Sequence, residues 1–458
     1  MNKKNIKVGS VYLTANIINK AVAFVTVPIF TRLLTTGEYG IVSTYLSFVS
    51  ILQYFMGLSS EYTIRNAYVD YRDDIIRYMS SVYTLSLVCN SITALVVIVI
   101  NQYLNYSSLV VCILCLVHSY ATFVINAMSF RLMMDEKHYS RSLLIAGPNV
   151  VSAILGLVLV FNMSNERYIG RILGYVVSYV IFAIWCICNV FVKERGKLTV
   201  FYWKYILGIS PPLIIHGLSL IILSQIDRIM LSKMRTTSET GIYSIIYTVS
   251  MIALAITQAL ESIWTPWFTV KYAQKEYNRI NERACKYLLL AAALMTIGML
   301  VSPEVIELLT PKDYWSGIPL IPPLVGSCFL IYSYSYYVGL ELQEKVTKTI
   351  SIATLIATGV NVVLNLFFIP LYGAIAAACT TIVSYTVLFI IHSLNGRRLN
   401  REIFNYRCFV VPGLMIVCST VLFYLLENLY LIRWGLCIVV FFSIAFLFSN
   451  GKINLKHE

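Results

Sequence analysis

The sequence predicts an all-α integral membrane protein of about fourteen transmembrane helices, arranged as two parallel six-helix lobes followed by two further helices. Three observations predict it. Hydrophobic residues make up 58% of the chain and charged residues 12%, with a mean hydropathy of +0.75, where a soluble domain is roughly a quarter charged. Apolar runs of about 20 residues recur, each long enough to cross about 30 Å of hydrocarbon as a helix, and lipid-exposed backbone must satisfy its polar groups within the segment. Finally, Thr35, Thr36, Glu38, Gly40, Ile41 and Ser43 recur at a fixed offset as Thr236, Thr237, Glu239, Gly241, Ile242 and Ser244, at the same place between two apolar runs. Such self-similarity is the mark of an internal duplication.

The expected spans are roughly 8–33, 39–62, 76–100, 107–130, 143–162, 169–192, 205–231, 241–265, 285–302, 317–339, 349–369, 372–394, 408–426 and 430–449. The offset covers six spans. An even number preserves orientation, so the halves are parallel repeats about an axis along the membrane normal. This divides the chain into 1–198, 199–396 and 397–458, with 193–204 as a linker between lobes. With the N-terminus inside, 26 of the 35 lysines and arginines fall in cytoplasmic segments, so both termini are expected in the cytoplasm. Seven fall outside, among them Arg32, Arg167, Arg171 and Arg433. The net charge of +13 follows from this topology and does not point to nucleic acid. The polar stretch Lys271–Lys286 is expected as a short interfacial helix, and 303–316 as the longest outside loop. No small-residue cleavage site follows the basic start, so the first span is not expected to be a signal peptide.

Ionisable groups inside a membrane usually face a hydrated cavity or a partner. Asn16, Asn19 and Lys20 share one helix face. Lys20 lies about 18 Å into its span, too deep to reach the interface easily, which favours a cavity-facing cation over snorkelling. Glu61 and Arg65 stand as an i, i+4 pair, either an interfacial ion pair or groups at a cavity mouth. Asp227 and Arg228 are adjacent and cannot face one another; one points into a cavity, or both cap the interface. Glu261 could hold a coupling proton or sodium ion, while Trp264 and Trp267 read as interfacial anchors. Asn361 and Asn365 share a face beside the small residues Gly373 to Ala378, a pattern for close helix packing. The eleven cysteines read as small packing residues, Cys112 and Cys115 included. No phosphate-binding glycine loop, metal spacing or nucleophile elbow is present, so no catalytic residue, metal or cofactor is expected.

These marks resemble a known family. Asn16, Lys20, Pro28, Arg32-Leu33 and Tyr39-Gly40, then Gly57-Leu58 and Arg65, Pro211 with Asp227-Arg228, Gly241 to Ser244, Leu308-Leu309 with Tyr314, and Asn361, Asn365, Ile369-Pro370, Gly373 and Ala377 run in the order of the polysaccharide-transporter branch of the multidrug/oligosaccharidyl-lipid/polysaccharide flippase superfamily. The chain departs from the family at Ala376, where a second glycine is frequent. The resemblance implies a MATE-like fold in a bacterial inner membrane. It also implies translocation of an undecaprenyl-pyrophosphate-linked oligosaccharide from the cytoplasmic to the outer leaflet, by alternating access coupled to an ion gradient. Lys20, Arg32 and Arg228 would then meet the phosphates, and Asn16, Asn19, Gln225 and Gln258 the sugar hydroxyls. Asp227 and Glu261, with Glu61 and Arg65, would carry the coupling ion or gate. Implied partners are membrane lipids and the polysaccharide polymerase and chain-length machinery. A cell-wall-precursor flippase fits the same pattern. A small-molecule antiporter would want acidic groups in place of Lys20, and a membrane polymerase would want a large polar outside loop.

Overall fold

The computed structural model describes Val22 and residues 24–449. Its helices are α1 (Phe24–Leu33), α2 (Thr36–Met56), α3 (Ile64–Asp70), α4 (Ile75–Leu104), α5 (Leu109–Met134), α6 (His138–Asn162), α7 (Arg167–Cys188), α8 (Trp203–Met234), α9 (Thr237–Ser250), α10 (Ile252–Ala273), α11 (Tyr277–Leu309), α12 (Ile321–Gln343), α13 (Thr347–Tyr372), α14 (Ala374–Leu399), α15 (Arg407–Leu425) and α16 (Tyr430–Ser449). Among the described residues, eleven segments are long and apolar enough to cross a membrane. α8 and α16 coincide with two of the remaining expected spans, and α1 with the end of the third, 8–33, most of which lies outside the described residues.

The repeated motif begins a helix in both copies. Thr35 caps α2: its hydroxyl accepts the N–H of Glu38 at 3.2 Å, and Glu38 accepts the N–H of Thr35 at 3.0 Å. This closed capping box satisfies two of the free donors at a helix start. Thr236 caps α9 in the same way, accepting from the N–H of Glu239 at 3.1 Å. The carboxylate of Glu239, however, leaves its own helix. It takes the N–H of Ala374 at 2.6 Å and the Nε of Arg235 at 3.2 Å, so it caps α14. Gly373 stands between at φ 61° and ψ −136°, and a Cβ there would collide with the Glu239 carboxylate.

Contacts divide the chain into two compact units that part between Ser232 and Lys233. In the first, Tyr202 donates to Asp74 at 2.7 Å, Tyr205 to Asp70 at 2.6 Å, and the Trp203 indole to the Ser81 carbonyl at 3.2 Å, so α8 begins on α3 and α4. Its core packs Met56, Tyr78, Phe123, Met128 and Val190. Arg131 of α5 is buried and grips Glu194 with both guanidinium nitrogens, Nη2 at 2.7 Å from Oε1. The second unit packs α11 against α15 and α16, and α12 against α14. Asn365 bridges α13 and α14, donating to Asn361 at 3.1 Å and accepting from Thr380, beside buried Ala376, Ala377 and Ala378. The close packing expected on this face is made, and Asn365 adds an interhelical hydrogen bond to it.

Several expectations are corrected. Span 39–62 stops at Met56, because Leu58 and Ser59 turn left-handed (φ 51° and 54°) and the Phe123 ring occupies the space a side chain at Gly57 would need. Residues 60–63 form a 3-10 turn before α3. The segment Lys271–Lys286 is no separate interfacial helix: α10 runs through Lys271, and Glu276 in the turn pairs with Lys271 and Arg279, both at 2.8 Å. Most of the supposed loop 303–316 is helical, since α11 continues through Pro303 to Leu309 and a 3-10 segment follows over Lys312–Leu320. Trp264 is buried against Tyr336, with ring centres 4.6 Å apart, and is not an interfacial anchor. Trp267 carries the Arg283 guanidinium at 4.3 Å. The packing role fails for Cys285 and Cys408, which form a disulfide joining α11 to α15.

Candidate functional site

Lys20, Asn16 and Asn19 lie outside the described residues. Arg32 ends α1, exposed, with its guanidinium folded back onto the Pro28 carbonyl at 2.7 Å. The α8 residues are held more firmly. Arg228 is buried, and its Nη1 donates to the Gln225 Oε1 at 2.9 Å and the Ser224 carbonyl at 3.1 Å. Ser47 of α2 donates to the same Gln225 oxygen at 3.1 Å. Gln225 is thus fixed between α2 and α8, its oxygen accepting from both Ser47 and Arg228. Asp227 is buried at 1% exposure; adjacent helix positions point about 100° apart, so it does not share the Arg228 face.

A second guanidinium, assigned to an outside loop by the charge pattern, belongs with this group. Arg171 stands in the second turn of α7, 6% exposed. Its Nη1 donates to the Ser152 carbonyl at 2.8 Å and its Nη2 to the Tyr175 hydroxyl at 2.7 Å. The cation lies between the rings of Phe30 and Tyr175, 4.0 and 4.1 Å from their centres. Gly156 leaves the space: a Cβ there would stand 2.7 Å from Nη1. Among the described residues no carboxylate pairs with Arg171. Aromatic faces and carbonyl dipoles offset part of the loss of hydration, yet a net charge remains. Tyr39 lies within electrostatic reach of both Arg171 and Arg228. The first unit therefore concentrates two largely buried cations beside tyrosine hydroxyls and a glutamine amide, an arrangement suited to a phosphate or another anion.

The expected pairing of Glu61 with Arg65 is not made. Arg65 is exposed and lies over the Phe130 ring at 5.0 Å. Glu61 sits in the 3-10 turn beyond the end of α2, 6% exposed, and its Oε2 has no hydrogen-bond partner. Burial pushes its carboxyl up to about 7. A carboxyl raised on folding contributes stability below its unfolded value near 4.5, and this is lost as pH rises through 7. Wild type is expected to lose up to about 3 kcal/mol between pH 5 and pH 8 through this group. Glu61→Gln should flatten that slope. Thermal unfolding in detergent across this range checks it, and parallel slopes for the two proteins would refute it.

In the second unit, Gln258 is exposed on α10 and Glu261 half-buried, facing Ser335 and Tyr332. Sequence reasoning passed over a tighter constellation. Glu341 of α12 and His392 of α14 are both essentially buried, with Oε2 to Nδ1 at 2.8 Å. Asn395 donates to the other carboxylate oxygen at 2.7 Å, and Tyr334 stacks on the imidazole with ring centres 5.5 Å apart. The carboxylate is thereby held by one side chain of α14 on each of its oxygens. The available signal is His392, a histidine close to the end of the expected span 372–394; its partner stands just beyond the expected 317–339.

Comparison with known proteins bears on the fold and the family. The chain superposes on the lipid II flippase MurJ in an inward closed conformation, with a TM-score of 0.73 and 15% identity, covering 97% of this chain and 99% of the other. It also superposes on an inward-facing MATE family multidrug resistance transporter of the MOP superfamily, with a TM-score of 0.59 and 15% identity over 85% and 98% of the two chains. A protein of the Lsg locus of Haemophilus influenzae is 23% identical over 361 residues, 77% of this chain and 83% of the relative. The MATE-like fold read from the sequence is thus the fold observed. Over residues 6–270, more than half its length, the chain matches the model of the polysaccharide biosynthesis protein family, and it belongs to that family.

Proposed function

We propose that this protein flips undecaprenyl-pyrophosphate-linked oligosaccharide repeat units from the cytoplasmic to the outer leaflet of a bacterial inner membrane, for surface polysaccharide assembly. Family membership and the transporter fold support flipping of a lipid-linked saccharide in general. The observation that carries the finer reading is the buried, carboxylate-free Arg171 beside Arg228 and Gln225. A pyrophosphate brought to this centre supplies the missing counter-charge, and the Gln225 amide and Tyr39 can meet sugar hydroxyls. Lys20 and Arg32 are further candidate phosphate contacts, with Asn16, Asn19 and Gln258 for the glycan. Turnover requires that substrate and coupling ion bind the two access states unequally. The buried Glu341–His392 pair, Asp227 and Glu261 are candidates to take the coupling proton or sodium ion. Both termini would be cytoplasmic, with the polymerase and chain-length machinery as partners.

A hydrogen-bonded ion pair of this kind is worth about 1.5–3 kcal/mol, so Arg171→Gln should lower flipping roughly 10- to 100-fold. Arg171→Lys keeps the charge but loses the forked contacts and should recover part of it. The test is deletion of the gene, restoration with wild type or each variant, and assay of surface polysaccharide and of lipid-linked saccharide by leaflet. Loss of surface glycan with repeat units held on the inner leaflet supports the proposal. A second reading, transport of a cell-wall precursor lipid, is favoured by the superposition on MurJ; it would show instead as accumulated cell-wall precursor and lysis. Full rescue by Arg171→Gln would remove Arg171 from the site while leaving the flippase reading intact.

A further inference from the structure

The second unit carries a feature that flipping does not use. α14 ends in Arg397 and Arg398, Arg401 follows in the connection, and α15 begins at Arg407. Arg397, Arg398 and Arg401 line a cleft of about 710 Å³ whose other wall is Asn278, Asn281 and Asn405. Among the described residues none of the three arginines forms an ion pair; Glu402 is the one carboxylate on the cleft, and it is exposed. Basic residues at this end of the helices are what membrane topology alone would produce, so their charge by itself carries nothing. The second observation is a groove of about 430 Å³ between α12, α14 and α15, walled by Phe329, Ile382, Phe389, Val410 and Val417. Arg397 and Tyr406 border both cleft and groove, so the two are continuous. Val410 and Val417 are about half exposed, which opens the groove sideways to hydrocarbon.

We propose that the second unit holds a phospholipid with an anionic headgroup, its phosphate on Arg397, Arg398 and Arg401 and one acyl chain along this groove. The dimensions select the occupant. From Tyr406 to Val417 the groove follows eleven residues of α15, about 16 Å at 1.5 Å per residue. That is half of the ~30 Å hydrocarbon thickness, the depth of a single leaflet, and it matches a phospholipid chain rather than a polyprenyl chain several times longer. A basic pocket opening between transmembrane helices is the chemistry that retains acidic headgroups. The site lies wholly within residues 278–417 and does not depend on the function proposed for Arg171.

The test uses the full-length protein, purified and stripped of lipid. Retained lipids are counted by native mass spectrometry, and thermal stability is followed on adding phosphatidylglycerol, cardiolipin, phosphatidylcholine, dihexanoyl phosphatidylglycerol, undecaprenyl phosphate or inorganic phosphate. Long-chain phosphatidylglycerol is expected to bind and stabilise, and phosphatidylcholine to do neither. Combining R397Q, R398Q and R401Q should weaken binding roughly 100-fold, at about one kcal/mol per cation, whereas the same loss of charge through R195Q, K197Q and K204Q should not. Gly413 lies on the groove wall, where a Cβ would meet Phe329 at 3.8 Å. Gly413→Leu fills the groove without touching the arginines, and should weaken the long-chain lipid while sparing the dihexanoyl form. Equal binding of phosphatidylcholine, stabilisation by inorganic phosphate alone, preference for undecaprenyl phosphate, or indifference to both sets of substitutions would each overturn the proposal.

Discussion

Glu194→Ala is expected to destabilise the first unit by about 3–5 kcal/mol, the range found when one partner of a buried ion pair is removed. The reason is the company Arg131 keeps. It is 5% exposed, both terminal nitrogens are spent on Glu194, and its Nε has no hydrogen bond, with Asp135 the only other carboxylate nearby at 3.7 Å. Without Glu194 the guanidinium stays buried with its two terminal nitrogens unpaired and Asp135, 3.7 Å from Nε, as its remaining counter-charge. The reverse deletion is milder, because the Glu194 side chain is 24% exposed and regains water. The expected order of loss is therefore Glu194→Ala, then Arg131→Met, with Arg131→Met/Glu194→Gln less damaging than the sum of the two. Thermal unfolding in detergent should fall by roughly 10 °C for Glu194→Ala. An equal loss from both single changes would mean that the pair acts as an exposed one.

The second large effect is expected at Gly373. Its φ 61° and ψ −136° belong to a region open essentially to glycine, and holding another residue there costs about 1–3 kcal/mol. A methyl group would also strike the Glu239 carboxylate and displace it from the Ala374 N–H, a charge-assisted hydrogen bond worth about 1.5–3 kcal/mol. Gly373→Ala should thus cost roughly 3–5 kcal/mol in total. Glu239→Ala should cost less, since the backbone strain is absent. The two changes share one contact, so the double variant should be less destabilised than their sum by more than about 0.5 kcal/mol. Additive losses would show that backbone strain alone makes the glycine necessary.

The spans were legible in the sequence because hydropathy integrates over twenty residues, and a local break does not erase the signal. The breaks themselves were hidden for the same reason. The stop at Met56 depends on a Phe123 ring sixty-six residues beyond Gly57, and the continuation of α11 through Pro303 depends on packing that raises no composition signal. At the candidate site, Arg228 and Gln225 stood out as polar groups in an apolar run. Arg171 does not, because it falls at the very start of the expected span 169–192, where a cation reads as an outside residue; Tyr175 lies one turn along its own helix, but Phe30, the other wall of its cage, comes from α1. Glu341 and His392 are fifty-one residues apart and meet only through the packing of α12 on α14. Identity between the two turns was legible in the sequence, but the capping role of their threonines was not, and the two identical glutamates do different work, which no local pattern encodes.

That divergence bears on the order in which this chain can change. In the first copy the hydrogen bonds that Glu38 makes among the described residues stay within its own turn, so its loss forfeits one helix cap. In the second, Glu239 and Gly373 each exclude the other's alternatives. A larger residue at 373 becomes sterically admissible only after the carboxylate has withdrawn, and even then it must accept the backbone strain. A lineage leaving this arrangement must therefore cross at 239 first. The two turns, alike in sequence, thus accept mutation by different routes.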